Sequence, residues 1–370
     1  MPTNSPLPNE ILATIFAHLE HPALALVARV SRRFNAVAEY RLYSLVVIAD
    51  VLSEQNSLPQ GTLCWYYAML NRPHLADSVR RLQIRWTTES QSQSPPSPFL
   101  LDVCNRLSLI IRLLVGLEHL ELFLGPANYV SLPQENIHAI ERAVYHCILP
   151  ALRFCSLGAE YTKGIQPYTV HITSFLCHTP SLRHFRLSDH HSSLSVPSAP
   201  HALPSLQTFR GSAATAASLL PGRPVHYISL IGQDSDVSQD NLQRMTFTTT
   251  PIRSLDLSAI SARPVLLRNV SGYLPTLERL RIRLALRHTL HYALSGITLL
   301  VGLSSVLGAF PNLIYLDLSP TLEGGRANAA DEQVLCTEYS RACPSLRTIV
   351  FPSQMEWIQD ESNQWHMIGS

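Results

Sequence analysis

"PSLRHFRL", residues 180–187, is one of several variations on a phrase that runs through most of this 370-residue chain. "PALRFCSL" stands at 150–157, "PTLERLRI" at 275–282, "PNLIYLDL" at 311–318 and "PSLRTIVF" at 344–351. The shared frame is Pro-x-Leu-x-x-Φ-x-Φ, where Φ is apolar. The two final apolar positions lie two residues apart, so they fall on one side of a strand. The proline stops a preceding helix and forces an extended entry, and the leading leucine turns the chain inward. "PSLQTFRG" at 204–211 is a lapsed copy, with Gly211 in the last apolar slot. Looser copies without the proline start at Leu42 ("LYSLVV"), Val79 ("VRRLQI"), Leu117 ("LEHLEL"), Val225 ("VHYISL") and Ile252 ("IRSLDL").

Helical patterns lie between these phrases. Ile137, Ile140, Val144 and Ile148 share one helical face, and Leu107, Ile110, Ile111 and Leu114 another. A third segment carries Val334, Leu335 and Tyr339, and residues 61–72 and 294–309 look alike. The anchors recur at intervals from 19 residues (206 to 225) to 38 (79 to 117). One strand and one helix per unit of that length is the period of leucine-rich repeats. The expected fold is α/β, a small set of N-terminal helices followed by an irregular solenoid: a curved parallel sheet with outer helices, over residues 46–370. The asparagine usual after the third apolar position of regular repeats is missing, which leaves curvature and repeat number open. Near the C-terminus, Met355 and Trp357 alternate before "QDESNQ", and Trp365 and Met367 after it. That pattern predicts a hairpin cap over about 353–370. "TTESQSQSPPSP" (87–98) and "SDHHSSLSVPSAPHALP" (188–204) read as Ser/Pro-rich surface insertions.

The first 45 residues follow another pattern. Pro8 suits a helix's first turn, and Ile11, Leu12, Ile15, Phe16 and Leu19 fall within about 140° of one helical face. Pro22 opens a second helix with Leu24, Val27 and Ala28. Ser31 suits an N-cap for a third, with Phe34, Val37, Ala38 and Leu42 on one face. A module of ~40 residues seldom builds a sufficient core without metal, disulfide or partner, and this stretch contains no cysteine. Its apolar surface therefore calls for a cover, either the following domain or another protein.

The segment "LPNEILATIFAHL…ALALVARVSRRFNAVAEYRLY" resembles an F-box, through its Leu-Pro opening, "EIL…IF…L" helix, "L..VA.VS..F" middle and terminal "LY". An aromatic, Phe34, stands where many F-boxes carry Trp. The resemblance implies docking on the small Skp-type adaptor of cullin–RING ubiquitin ligases. By position, the contacts would be Leu7, Pro8, Ile11, Leu12, Ile15, Phe16, Leu24, Val27, Val30, Ser31, Phe34 and Leu42. With the repeats, the chain resembles the leucine-rich-repeat type of F-box protein, particularly irregular fungal ones. Such proteins hold a protein substrate for ubiquitination and carry no catalytic cysteine themselves.

Composition narrows the rest. Lys+Arg is 28 against Asp+Glu 27, so no strong field steers nucleic acid or an anionic membrane toward the chain. The uncharged run 294–310 is short of the ~20 residues of a membrane span and reads as a buried helix. Seven scattered cysteines and the start "MPTNSPLPNE" predict reduced thiols in cytoplasm or nucleus. G-x-S-x-G, H-E-x-x-H, P-loop and G-x-G-x-x-G motifs are absent. His146, Cys147 and Cys155, and the pair His190 and His191, lack the paired spacing of a metal site. Cys147 and Cys177 are expected to pack as small apolar residues on helices. No cofactor or metal is expected.

The residues flanking each Φ pair face solvent, on the inner side of a repeat array. They form a ladder: Arg81 and Gln83, His119 and Glu121, Phe154 and Ser156, His184 and Arg186, Thr208 and Arg210, Tyr227 and Ser229, Ser254 and Asp256, Arg279 and Arg281, Tyr315 and Asp317, then Thr348. Aromatic and Arg side chains are enriched at protein contact hot spots, which favours His184, Arg186, Tyr227, Arg279, Arg281 and Tyr315 as substrate contacts. The rival reading is a repeat scaffold that binds partners without any ligase role.

Overall fold

The computed structural model describes residues 7–53, 55–89, 99–125, 127, 139–160, 170–188, 194, 202–285, 300, 302–321 and 329–368. The chain divides into two compact units. The first comprises Met1–Leu182 with His201–Leu203, and the second Arg183–Pro200 with Pro204–Ser370.

The first unit opens with three short helices: α1 (Asn9–Phe16), α2 (His21–Val27) and α3 (Arg32–Leu42). Ser31 caps α3, its hydroxyl accepting the Phe34 N–H at 3.1 Å. Four parallel strands follow in chain order: β1 (Leu45–Leu52), β2 (Arg81–Thr88), β3 (His119–Phe123) and β4 (Phe154–Gly158). The helices α4 (Gln60–Asn71), α5 (Phe99–Ile111) and α6 (Ala139–Ala143) lie between the strands, with α7 (Val170–Cys177) after β4. A 3-10 turn, Pro73–Ser78, leads into β2.

In the second unit seven strands add in parallel: β5 (His184–Leu187), β6 (Thr208–Ser212), β7 (Tyr227–Ile231), β8 (Ser254–Ala262), β9 (Arg279–Leu284), β10 (Tyr315–Asp317) and β11 (Thr348–Val350). Helices α8 (Ala213–Leu219), α9 (Gln239–Met245), α10 (Pro264–Tyr273), α11 (Ser304–Leu307) and α12 (Ala329–Ala342) intervene. The expected terminal hairpin is present: β12 (Glu356–Gln359) pairs antiparallel with both β11 and β13 (Trp365–Ile368). It is pinned by Glu332 on α12, whose carboxylate accepts the Trp357 Nε1–H at 2.9 Å and the Ser353 hydroxyl at 2.5 Å.

Register within each unit is set at strand entry by one recurring device. Two successive N–H groups donate to a single carbonyl on the preceding strand. Glu118 and His119 donate to Arg80 O at 2.8 and 3.0 Å, Arg253 and Ser254 to His226 O at 3.0 Å each, and Glu278 and Arg279 to Arg253 O at 2.8 and 3.0 Å. The repeat prolines act differently from expectation. They sit second in a four-residue turn closed by the repeat leucine: Leu182 N–H donates to Thr179 O at 3.2 Å, Leu277 to Leu274 O at 3.3 Å and Leu346 to Cys343 O at 3.1 Å. Proline's fixed φ suits that position.

Both apolar slots are buried in every proline-bearing copy, as in Phe185 and Leu187, Leu280 and Ile282, and Leu316 and Leu318. The lapse at Gly211 has a steric cause. A Cβ there would lie 2.6 Å from Phe209 Cζ, because the large buried ring fills the slot that glycine leaves open.

Several expectations are corrected. The copy read from Leu42 is out of phase by one residue: Val46 pairs with Leu82 in register and is buried, while Leu45 and Val47 face solvent. A one-residue slip exchanges the two faces of a strand. Ile148, expected inside, is exposed beyond the end of α6, and Val334 is exposed on α12 beside buried Leu335, Cys336 and Tyr339. Cys177 is exposed, and Cys147, although buried, lies past the helix rather than on it. Of the 294–309 helix, α11 and the buried Leu300 and Leu303 are described. Ile137, the loop residues 90–98, and Asp189, His190 and His191 lie outside the described residues.

Candidate functional site

Two surfaces, one in each unit, carry the residues singled out above. The first is on the three-helix module. Phe16, Leu24 and Ala38 form its core, with Leu19, Val27, Ala28, Phe34, Val37 and Leu42 packed around them. Phe16 and Phe34 meet edge to face, ring centres 5.6 Å apart, the arrangement that the aromatic quadrupole favours. Leu12 is buried as well. The apolar stripe of α1 is thus two stripes. Leu12 and Phe16 face inward, whereas their neighbours Ile11 and Ile15 are each 46% exposed. Leu7 (53%), Leu26 (66%) and Val30 (68%) add to the exposed set.

The structure divides the expected contact set by exposure. Leu12, Phe16 and Leu24 belong to the module's own core and present no surface; Val27, Phe34 and Leu42 are half-buried on it. Leu7, Pro8, Ile11, Ile15, Val30 and Ser31 remain accessible. Leu26 was missed. Its signal was the alternation in "ALALV", where Leu24 turns inward and Leu26 outward. Polar bonds hold the module to the first repeat. Arg72 reaches Glu39 at 2.9 Å and the Tyr43 hydroxyl at 2.8 Å; within the module, the Arg33 guanidinium ties α3 to the start of α1, donating to Leu7 O and, at 2.8 Å, to Asn9 Oδ1.

The second surface is the solvent face of the second unit's sheet. Register places His184, Thr208, Tyr227, Ser254, Arg279, Tyr315 and Thr348 in one row across seven strands. Arg186, Arg210, Ser229, Asp256, Arg281 and Asp317 form a second row on six of them. All six favoured ladder residues therefore lie on one face. Within it, His184 Nδ1 and the Thr208 hydroxyl are 2.8 Å apart, Arg281 Nε pairs with Asp317 at 3.0 Å, and the Arg279 guanidinium stacks on Tyr315 at 5.8 Å from the ring centre. Partial burial holds the His184 imidazole below its ordinary range, helped by Arg186, Arg183 and His226. Burial raises the Tyr227 and Tyr315 phenols, with Asp256 and Asp317 adding to each respectively.

Four of the buried cysteines are far from activated. Burial pushes the Cys104 and Cys147 thiols up to about 12, and raises Cys155 and Cys336 too; a thiol so raised is no nucleophile at neutral pH. Among the described residues, no group of three or more His, Cys, Asp or Glu could hold a metal ion. An open depression of about 310 Å³, lined by Thr246, Thr248, Thr249, Thr250, Tyr273 and neighbours, contains no carboxylate, imidazole or thiol. No described helix is long and apolar enough to cross a membrane.

Residues 5–48 match the family model described as F-box-like. No curated protein matches the chain. Among solved structures, the leucine-rich repeat-containing protein LegL7 from Legionella pneumophila is similar over 78% of this chain and 92% of that one, with 13% identity and a TM-score of 0.41. The repeat architecture rests on the in-register parallel strands and intervening helices described above. The chain therefore carries an F-box-like domain joined to a leucine-rich-repeat region of α/β architecture.

Proposed function

We propose that this chain is a non-catalytic adaptor. Its N-terminal module, residues 1–45, recruits a Skp-type protein and through it a cullin–RING ubiquitin ligase. The repeat region, residues 46–370, holds a protein substrate for ubiquitination. F-box domains are in general found in such adaptors and bind a Skp-type partner. The observation that carries the reading is the split stripe of α1. A module with a closed core of its own still exposes Leu7, Ile11, Ile15, Leu26 and Val30. Large apolar groups concentrated on so small a module are characteristic of a contact surface. The setting expected for this role is the cytoplasm or nucleus, with no cofactor or metal.

The test follows from the split. Ile11→Asp with Ile15→Asp charges the exposed stripe and leaves the core untouched. In pull-downs from a eukaryotic lysate, the wild-type chain is expected to capture the Skp-type adaptor and a cullin, and the double variant to lose both while melting at the wild-type temperature. A wild-type chain that captures repeat-bound partners but no adaptor or cullin would instead make the protein a scaffold without ligase role.

A further inference from the structure

The solvent face of the second unit contains guanidinium and carboxylate groups at different depths. Asp256 and Asp317 are 5% and 7% exposed. Both are engaged by the protein itself. Asp256 accepts the Ser229 hydroxyl at 3.1 Å, the Tyr227 hydroxyl at 3.4 Å and the Ser258 N–H at 2.8 Å. Asp317 accepts the Ser319 N–H at 2.9 Å and pairs with Arg281 at 3.0 Å. Arg210 and Arg279 are exposed on the same face, and among the described residues neither has an ion pair. The Arg279 guanidinium lies over the Tyr315 ring, 5.8 Å from its centre, and the residue stays exposed. Over β5–β9 a molecule approaching the face meets the exposed guanidinium groups of Arg186, Arg210, Arg279 and Arg281 before the buried Asp256, with Glu356 at the far edge of the sheet, in register with Val350.

We propose that this face takes an acidic protein segment, an extended stretch of a partner whose aspartate or glutamate side chains pair with Arg210 and Arg279. This rests on the reading of the repeat face as the substrate-docking surface, and specifies what docks there. β6 and β9 are three strand spacings apart, roughly 14 Å, and Arg210 and Arg279 lie in adjacent rows about 7 Å apart along the strands, which puts their Cα positions roughly 16 Å from one another. An extended chain laid obliquely across the strands covers roughly 13 Å in four residues, so carboxylates at i and i+4 emerge on the same side, and the length of the two arginine side chains spans the remainder. Tyr227, half-buried between the two arginines, offers an aromatic surface to the residues between the carboxylates. Arg281 and Asp317 show the same chemistry inside the fold, a guanidinium and a carboxylate joined across neighbouring strands.

The test uses the full-length chain and three fluorescein-labelled nonapeptides of Gly, Ser and Tyr, carrying Glu, Gln or Lys at two positions four apart. Anisotropy is expected to report binding of the Glu peptide alone, weakening as NaCl rises. Arg210→Gln with Arg279→Gln is expected to weaken it about tenfold, since each substitution leaves a carboxylate without its partner. Equal binding of the Gln peptide, no binding of the Glu peptide, or an unchanged affinity in the double variant overturns the proposal. Ser254→Trp, which places a bulky ring between Tyr227 and Arg279, separates the two levels. If it abolishes binding and the arginine variant does not, the docking face stands and its acidic preference falls. If neither variant changes binding, the docking face falls as well.

Discussion

The three-helix module and the repeat region are built from similarly apolar sequence, yet they dispose of it in opposite ways. In the proline-bearing repeats both apolar slots are buried, and side chains as large as Phe185, Phe209 and Phe351 are fully buried. In the module, Leu12, Phe16 and Leu24 go inward and Leu19, Val27, Phe34, Val37 and Leu42 half inward, while Leu7, Ile11, Ile15, Leu26 and Val30 stay in water. A repeat can hide its apolar groups because its neighbours on both sides supply matching ones. Three short helices enclose too little volume to do the same. The difference separates a region that seals its apolar groups inside from one that leaves part of them exposed, the surface proposed above to meet a partner.

That contrast can be broken most forcefully in the repeats. Phe209→Ala is expected to cost about 3–5 kcal/mol, the range for a buried phenylalanine, read as a lower denaturant midpoint for the second unit. Ile11→Asp with Ile15→Asp is expected to leave stability within about 0.5 kcal/mol of wild type, as exposed substitutions do. The same pair of changes removes about 2–4 kcal/mol of adaptor binding, the size of an interface hot spot, measurable by calorimetry with purified adaptor. Should it instead unfold the module, the outer stripe is not the free surface described here.

Smaller effects sharpen the comparison. Glu332→Ala leaves the Trp357 indole N–H buried without an acceptor, at about 1–3 kcal/mol. Faster hydrogen exchange in residues 356–368, with the parallel strands unaffected, checks that the hairpin is a separately anchored cap. Ser31→Ala removes the cap of α3 and is expected to cost about 1 kcal/mol, seen as lower helicity in the module. The smallest effect concerns His184. Its imidazole lies below the ordinary value of 6.5, chiefly through burial and then through Arg186, Arg183 and His226. Below pH 6.5 the folded chain therefore binds fewer protons at this site than the unfolded one. Its contribution to stability is complete above 6.5 and is lost as pH falls through the folded value. NMR titration of the ring is expected to show this low value, and Arg186→Gln is expected to raise it.

The repeat was legible because its signal is local. Leucine and the Φ pair must recur wherever a strand enters the sheet, and proline marks the turn before it. The slip at β1 shows where this fails. "LYSLVVIAD" offers apolar residues in both phases, and what selects one is the tie of Ser44 O to the N–H groups of Arg80 and Arg81 at 3.0 and 2.9 Å. Asp50 acts from within the strand: its carboxylate accepts the Gly61 and Thr62 N–H groups at 2.7 and 3.0 Å, at the start of α4. A buried aspartate in the wrong phase would lose those partners. The distance in sequence between Asp50 and its donors, Gly61 and Thr62, hid this from any reading by periodicity.

The sequence by itself determined the order of parts: an F-box-like segment, then strand–helix repeats, then a hairpin, with the ladder residues on one face of each unit's sheet. These follow from patterns of two and of 3.6 residues, which backbone geometry imposes on neighbours in the chain. Only the tertiary structure decided which half of the α1 stripe faces inward, which phase β1 adopts, and which charges on the ladder are already satisfied. Each of those depends on a contact between residues far apart in sequence, and burial there is settled by what packs opposite rather than by the residue itself.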